Sequence, residues 1–383
     1  MVVYVPGAFS RGDLSESRTE VQKEGFVWIT FLFPGGRDPA SGLESDGIYD
    51  ERGMNCIKAL RDVLKFAAGR LPSSEGQFIQ DILPFPVDTS IVGIYASSNG
   101  GVITMVTLDL FSSDLDFVDF VVGWENPASS QEVMPDLGQK DEDTLYDGDG
   151  NGFYDDDYKN LSYLAYGDTI CLVDYSTIAY DPTYTHNPKF PKGAIFLDRY
   201  QPELDRYDYI TLPSGYEWPD VITDGFIDST EDYLFGCHTY VHPGGDTVYF
   251  FSREVTHALA VYGVFPQGFP PWLATPGDAD TFWYLRDATY HYDGIPQGVH
   301  YILLMSQNDH VQSARDKPHI HQAFDGFMRN NLWIRLNPDR EYIVYLDSSY
   351  VDSLIPDNDA GFAPADWDSI VYYAYPEYLG NRK

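Results

Sequence analysis

The stretch Ile94-Tyr95-Ala96-Ser97-Ser98-Asn99-Gly100-Gly101 decides how the fold is read. An apolar run, Ile91 to Ala96, leads into it and reads as a buried strand, and a Gly-led segment, Gly101 to Leu110, leaves it and continues as a helix. A serine between a buried strand and a helix is lifted to the carboxyl edge of the sheet when the turn is very tight. Such a turn needs a small residue two before the serine, here Ala96, and a glycine two after it, here Gly100. The helix N-terminus beyond the turn favours a developing anion. An ordinary Gly-rich strand-to-helix turn accounts for the same string, so the reading of Ser98 rests on what surrounds it.

On both sides of this turn, strand and helix alternate. Val2 to Val5 is a short apolar strand that runs into Pro6-Gly7-Ala8-Phe9, and Phe26 to Phe33 reads as a second strand closed by Pro34-Gly35-Gly36. Asn55 to Ala68 carries Ile57, Leu60, Val63, Leu64 and Ala67 at helical spacing, with Gly69 where the helix would stop. Phe117 to Trp124 is a fourth strand. Beyond the middle of the chain, Val299 to Ser306 and Leu332 to Leu336 read as strands and Pro318 to Asn330 as the helix between them, with Tyr342 to Leu346 a further extended piece. This alternation predicts an α/β fold, a mostly parallel sheet with helices on both faces. From Glu125 onward the pattern breaks into Tyr-, Asp-, Gly- and Pro-rich sequence with short strand-like runs such as Ala194 to Leu197. We therefore expect residues 1–125 and 250–383 to form the core and 126–249 a large, irregular, strand-containing insertion. Ser252 to Val261 and Asp278 to Ala288 read as helices of the core.

With the Ala96-Ser97-Ser98-Asn99-Gly100 turn and Val5-Pro6-Gly7-Ala8 after an early strand, the chain resembles the α/β-hydrolase superfamily, in particular its dienelactone-hydrolase-like and prolyl-oligopeptidase-like branches. The resemblance covers roughly residues 1–125 and 250–345. It implies Ser98 as nucleophile, with the backbone N–H groups of Ala8 and Asn99 as oxyanion donors. Ala96 stands where the superfamily usually has a glycine, a change that sterics tolerate. The resemblance also implies a carboxylate after the Tyr301 to Ser306 strand, which points to Asp309; a capping Asp is the other reading. It further implies a histidine after the last strand, yet no histidine follows His321. His310 is therefore the expected base, ahead of His319 and His321. Being adjacent in sequence to Asp309, it would be oriented instead by Glu125. Packing or surface histidines remain the alternative.

The 383 residues include 59 acidic and 24 basic side chains, a net charge of −35. Nucleic-acid backbones and anionic membranes demand clustered Lys and Arg, so both are excluded as general partners. A hydrophobic fraction of 43% and an aromatic fraction of 16% are those of a packed globular chain, not of an acidic tail. No apolar run reaches the roughly 18 residues of a membrane span. Part of the acidity is local: residues 141–158 hold eight acidic side chains and no basic one. Within them Asp147, Asp149, Asn151 and Asp155, with Gly152 at the sharp turn and the Phe153 carbonyl, match the first nine positions of an EF-hand or dockerin Ca²⁺ loop. Tyr158 replaces the usual bidentate Glu, so Asp156 or Asp157 would complete the shell. A solvated acidic loop is the other reading, and Asp357-Asn358-Asp359 with Asp366 and Asp368 is a fainter echo of the same pattern. The three cysteines, Cys56, Cys171 and Cys237, allow either a Cys171–Cys237 disulfide or three buried thiols. The aromatic residues around Trp272, Trp283, Tyr284, Tyr290 and Tyr292 read either as a pocket for an acyl or sugar ester or as filling for an irregular core.

Two functions from different classes fit these residues. One is a secreted serine hydrolase cleaving small-molecule or polymeric carboxylic esters through an acyl-enzyme on Ser98, with structural Ca²⁺. The other is a catalytically inactive hydrolase fold serving as an extracellular or cell-surface structural or adhesive protein stabilised by calcium. Both leave self-association open. Removing the metal tests the Ca²⁺ loop: chelator should lower the melting temperature of the intact chain, and a chain carrying Asp147→Ala and Asp149→Ala should no longer respond. An unchanged melting curve in the unmodified chain rules the loop assignment out.

Overall fold

The computed structural model of the chain describes residues 1–15, 22, 25–130, 178–182, 194–197, 200–201, 206–207, 233–234, 238–241, 247–251, 253–304 and 318–336. The chain divides into two compact units, one of Met1–Ser129, Leu285–Val311 and His319–Lys383, the other of Ser130–Tyr284 and Gln312–Pro318. In chain order, the first unit opens with β1 (Val2–Val5), β2 (Trp28–Ile29), α1 (Met54–Ala67), the single turn α2 (Ile79–Ile82), β3 (Val92–Ser97), α3 (Gly100–Leu110) and β4 (Val118–Trp124). The second unit supplies β5 (Ala179–Asp181), β6 (Ala194–Leu197), β7 (Tyr200–Gln201), β8 (Arg206–Tyr207), β9 (Tyr233–Leu234), β10 (His238–Val241), β11 (Thr247–Phe250), α4 (Arg253–Val261) and α5 (Pro276–Tyr284). The chain closes its described part with β12 (His300–Leu304), α6 (Pro318–Arg329) and β13 (Trp333–Leu336).

The first unit is an α/β fold. Its six strands among the described residues are all parallel, in the order β13-β12-β4-β3-β1-β2, and the expected extended piece Tyr342 to Leu346 lies outside those residues. The crossovers β2–α1–β3, β3–α3–β4 and β12–α6–β13 step across the sheet in one direction, and right-handed connections then place their helices on one face. Cys56, Ile57, Leu60 and Leu64 of α1, Val102, Met105 and Val106 of α3, and Phe324 and Phe327 of α6 share a single buried cluster with Val3, Val5, Ile94, Ala96 and Leu303. On the opposite face Val2, Tyr4, Tyr95, Phe120, Val122, Ile302 and Leu304 are buried, with Trp28, Trp124 and Trp333 packed against them. Burial of both faces is why these strands are predominantly apolar, with Asp119 in β4 and Arg335 in β13 among the exceptions, and can be read from sequence.

Helix α1 forms over the expected residues because its apolar side chains recur every three or four positions, and Gly69, at φ 64, follows its C-cap Ala68. The expected strand over Phe26 to Phe33 is realised only as Trp28–Ile29. At the edge of the sheet β2 has one neighbour, β1. Beyond Ile29 the chain leaves that partner, Leu32 bridges back antiparallel to Gly12, and the Phe31 and Phe33 rings pack edge to face. Residues 250–284, expected with the core, fall in the second unit. There Phe251, Val255, Leu259 and Leu273 form a separate cluster with Ile178 and Ile195, and the indole N–H of Trp283 donates to the Phe251 carbonyl at 2.6 Å. Among the described residues no helix is long and apolar enough to cross a membrane.

Leu60 is fully buried in the first unit's core. Leu60→Ala should lower the free energy of unfolding by about 2–5 kcal/mol, whereas Lys58→Ala, on the exposed side of α1, should change it by no more than about 0.5 kcal/mol. Urea unfolding of the two variants checks this, and similar midpoints would place this face of α1 off the core.

Candidate active site

Strand register gathers the candidate residues at one edge. Val5 pairs with Ala96, Ser97 with Trp124, and Trp124 with Leu304, so β1, β3, β4 and β12 end level with one another. The residues next along the chain therefore emerge together at the carboxyl edge of the sheet: Pro6, Gly7 and Ala8 after β1, Ser98 after β3 and Glu125 after β4.

Ser98 sits between the last residue of β3 and the first turn of α3 at φ 47, half-buried. Its backbone N–H donates to the Trp124 carbonyl at 2.7 Å, and its own carbonyl accepts from Gly101 N–H at 2.9 Å. A left-handed conformation for a residue with a Cβ is unfavourable by roughly 1–2 kcal/mol, and it turns the side chain out of the strand. The small residues around it are required by contact. A Cβ at Gly100 would lie 2.4 Å from the Val5 carbonyl oxygen, and one at Gly7 would lie 2.8 Å from the Ser98 Cβ. The loop after β1 thus runs directly beside the serine. Ala8 in that loop is at φ 46, and its carbonyl accepts from the Asn99 side-chain amide at 3.2 Å. The proposed oxyanion donors, Ala8 and Asn99, are accordingly neighbours flanking Ser98, at the N-terminus of an 11-residue helix.

Beneath the β1 loop lies a basic group that the sequence does not advertise. Arg52 is buried and donates through Nη2 to the carbonyls of Pro6 at 2.9 Å and Gly7 at 3.3 Å, with its guanidinium 4.3 Å above the Phe33 ring. The turn that places it has two consecutive non-glycine residues at positive φ, Glu51 at 53 and Arg52 at 65. Buried Arg286 braces that turn, donating to the Glu51 carbonyl at 2.5 Å and the Asp50 carbonyl at 2.6 Å. Burial pulls Arg286 down to about 10 and lowers Arg52 as well, while it raises the Glu51 carboxyl and pushes the Cys56 thiol up to about 12. Cys56 therefore stays a protonated thiol at neutral pH.

Glu125 is buried, at φ 46, and its N–H donates to the Leu304 carbonyl at 2.8 Å. It lies between the serine turn and the end of β12. Asp309 and His310 lie outside the described residues, as do the side chains of His319 and His321, whose backbone belongs to α6. The Ca²⁺ loop residues Asp147, Asp149, Asn151, Phe153 and Asp155, the fainter Asp357 to Asp368 pattern, Cys171 and Cys237 lie outside them too. Among the described residues no group of three or more His, Cys, Asp or Glu side chains is placed to hold a metal ion. Besides the exposed His257–Asp280 pair of α4 and α5, at 3.0 Å, one His–Asp pair is buried among the described residues, His291 Nδ1 at 2.5 Å from Asp109 Oδ2, fully buried on the histidine side. Asp109 is nine residues along α3 from Gly100, roughly 13 Å of helix, so this pair belongs to the core and not to the serine turn.

No protein-family model and no curated protein matches the chain. Among solved structures it is similar to a variant of tomato methylketone synthase I complexed with beta-ketoheptanoate, at 8% identity and a TM-score of 0.31, over 98% of this chain and 98% of that one.

The strain at Ser98 is measurable apart from any activity. Ser98→Gly relieves the positive φ and should stabilise the chain by about 1 kcal/mol, the left-handed penalty less the added freedom of glycine in the unfolded state. Ser98→Ala keeps the Cβ and should leave stability within about 0.5 kcal/mol of the parent. Equal melting temperatures for the Gly and Ala variants would mean that position 98 carries no strain.

Proposed function

We propose that the chain is a serine hydrolase of carboxylic esters. The observation that carries this reading is Ser98 at φ 47 on the turn from β3 to α3, with the 6–8 loop against it. The Ser98 hydroxyl attacks the ester carbonyl carbon and passes its proton to the His310 imidazole. The negative oxygen of the tetrahedral intermediate is held by the N–H groups of Ala8 and Asn99. Collapse breaks the bond to the alcohol, which leaves with the proton from His310, and water attacks the acyl-enzyme by the same steps in reverse roles. Asp309, or Glu125 at the end of β4, orients the histidine and stabilises its cation. On this reading the acidic 141–158 segment binds structural Ca²⁺, and the protein works outside the cell or at its surface.

A second reading is favoured by one specific fact, the lack of any histidine after His321. On that reading the fold is catalytically silent and serves as a calcium-stabilised extracellular structural or adhesive subunit. A fluorophosphonate probe decides between the two. The hydrolase reading expects covalent labelling of the parent chain and none of Ser98→Ala. A parent chain that stays unlabelled where a control esterase is labelled leaves the silent fold standing.

A further inference from the structure

We infer that Asn126 and Arg52 are positioning residues that hold the two peptide units whose N–H groups form the oxyanion site. The inference rests on the hydrolase reading above and concerns how that site is kept in place. A peptide unit is planar and trans, so its C=O and N–H point in opposite directions. Fixing the oxygen therefore fixes the direction of the hydrogen. The Asn99 N–H shares a peptide unit with the Ser98 carbonyl, and the Ala8 N–H shares one with the Gly7 carbonyl. Each of those carbonyls is held by a buried side chain.

Asn126 holds the first. Its Nδ2 donates to Ser98 O at 2.7 Å and also faces Ala96 O at 3.0 Å and Trp124 O at 3.1 Å, while its Oδ1 accepts from the Tyr301 hydroxyl at 3.1 Å. An amide flipped the other way would set its oxygen against three carbonyls, so the network settles the orientation. Asn126 is 3% exposed and Tyr301 3% exposed. The space is built for this side chain: a Cβ at Gly101 would lie 2.3 Å from Asn126 Cγ, and one at Gly123 would lie 1.9 Å from its Oδ1. Donors acting in sequence, Tyr301 to Asn126 to Ser98 O, reinforce one another's polarity in a low-dielectric setting. The end of that series is the Asn99 N–H.

Arg52 holds the second through the Gly7 carbonyl, and holds the Pro6 carbonyl with the same nitrogen. At 1% exposed, with its charge desolvated by burial, it is an expensive way to brace a loop. A neutral donor would satisfy the two carbonyls at lower cost. A cation there also polarises the Gly7–Ala8 peptide in the direction that strengthens the Ala8 N–H towards a negative oxygen. Preorganised donors of this kind stabilise the transition state and leave substrate binding largely alone.

The experiment uses the full chain with p-nitrophenyl butyrate as substrate, fluorophosphonate labelling, and a trifluoromethyl ketone as tetrahedral mimic. Asn126→Ala and Arg52→Met should each lower kcat by about 10²-fold with KM within about twofold. Affinity for the ketone should fall by the same factor as kcat/KM, a parallel that loosened packing alone does not produce. Arg52→Lys, which restores a cation, should recover part of the loss relative to Arg52→Met. Should the larger changes prevent folding, Tyr301→Phe decides by the same measurements, with an expected loss of about tenfold, because it removes one hydroxyl and no main-chain bond. Folded variants with parent rates and parent ketone affinity overturn the inference and leave the hydrolase reading intact. A parent chain inert to the probe overturns both.

Discussion

The Val5 carbonyl oxygen comes so close to the first residue of α3 that a single methyl group at position 100 would lie 2.4 Å from it. Much of the first unit depends on that approach. Parallel pairing of β1 with β3 carries the chain after Val5 over the start of α3, and the register leaves no other path, because Val5 is opposite Ala96. Only a residue without a side chain fits at position 100, and only a backbone without a Cβ fits at Gly7 beside Ser98. The same crowding turns Ser98 out of line, since β3 must end where α3 begins. A loop, a helix N-terminus and a hydroxyl are thereby brought together by packing of the scaffold.

The backbone strain is distributed in a way that matches. Three neighbouring strands of the sheet, β1, β3 and β4, are each followed by a non-glycine residue near φ 46: Ala8, Ser98 and Glu125. Glu51 and Arg52, also at positive φ, form the turn under the first of these loops. Left-handed residues of this kind persist only when their surroundings over-determine them, and they concentrate at functional edges. Here the surroundings can be named: Trp124 O for the Ser98 amide, Leu304 O for Glu125, Arg286 for the Glu51 turn. A sheet buried on both faces gives these contacts a rigid base.

What the sequence discloses and what it conceals divide along the same physical line. β1, β3, β4, β12 and β13 are legible because burial on both faces makes them predominantly apolar, and α1 because Ile57, Leu60 and Leu64 keep helical spacing. The serine turn is legible because tightness restricts residue type locally, at Ala96 and Gly100. The edge strand β2 is overestimated, since its apolar residues Phe31 and Phe33 are spent on packing and not on pairing. Asn126 and Arg52 leave no local signal at all. Their partners are 28 and 46 residues away along the chain, and a lone Asn after a strand or a lone Arg before a helix looks like any other. The one trace of Asn126 is indirect, in the glycines at 101 and 123, whose purpose appears only once the side chain between them is placed.

The net charge of −35 then takes on a different meaning at the serine turn. A long-range negative field should oppose the build-up of a further negative charge there. Yet exposed carboxylates are screened over about 8 Å at physiological ionic strength, whereas fixed dipoles in a buried setting act at full strength over a few ångströms. Arg52 and Arg286 are two of only 24 basic residues, and both are buried around the turn that supports the 6–8 loop, donating to main-chain carbonyls. A carbonyl dipole satisfies a guanidinium N–H without supplying a whole negative charge, so the charge of Arg52 still reaches the peptide units of that loop. The peptide dipoles of α3 point the same way. Buried Glu125 lies at the same edge, so the field beside Ser98 is set by enclosed groups, the Arg52 guanidinium and the Glu125 carboxyl among them, and not by the anionic exterior.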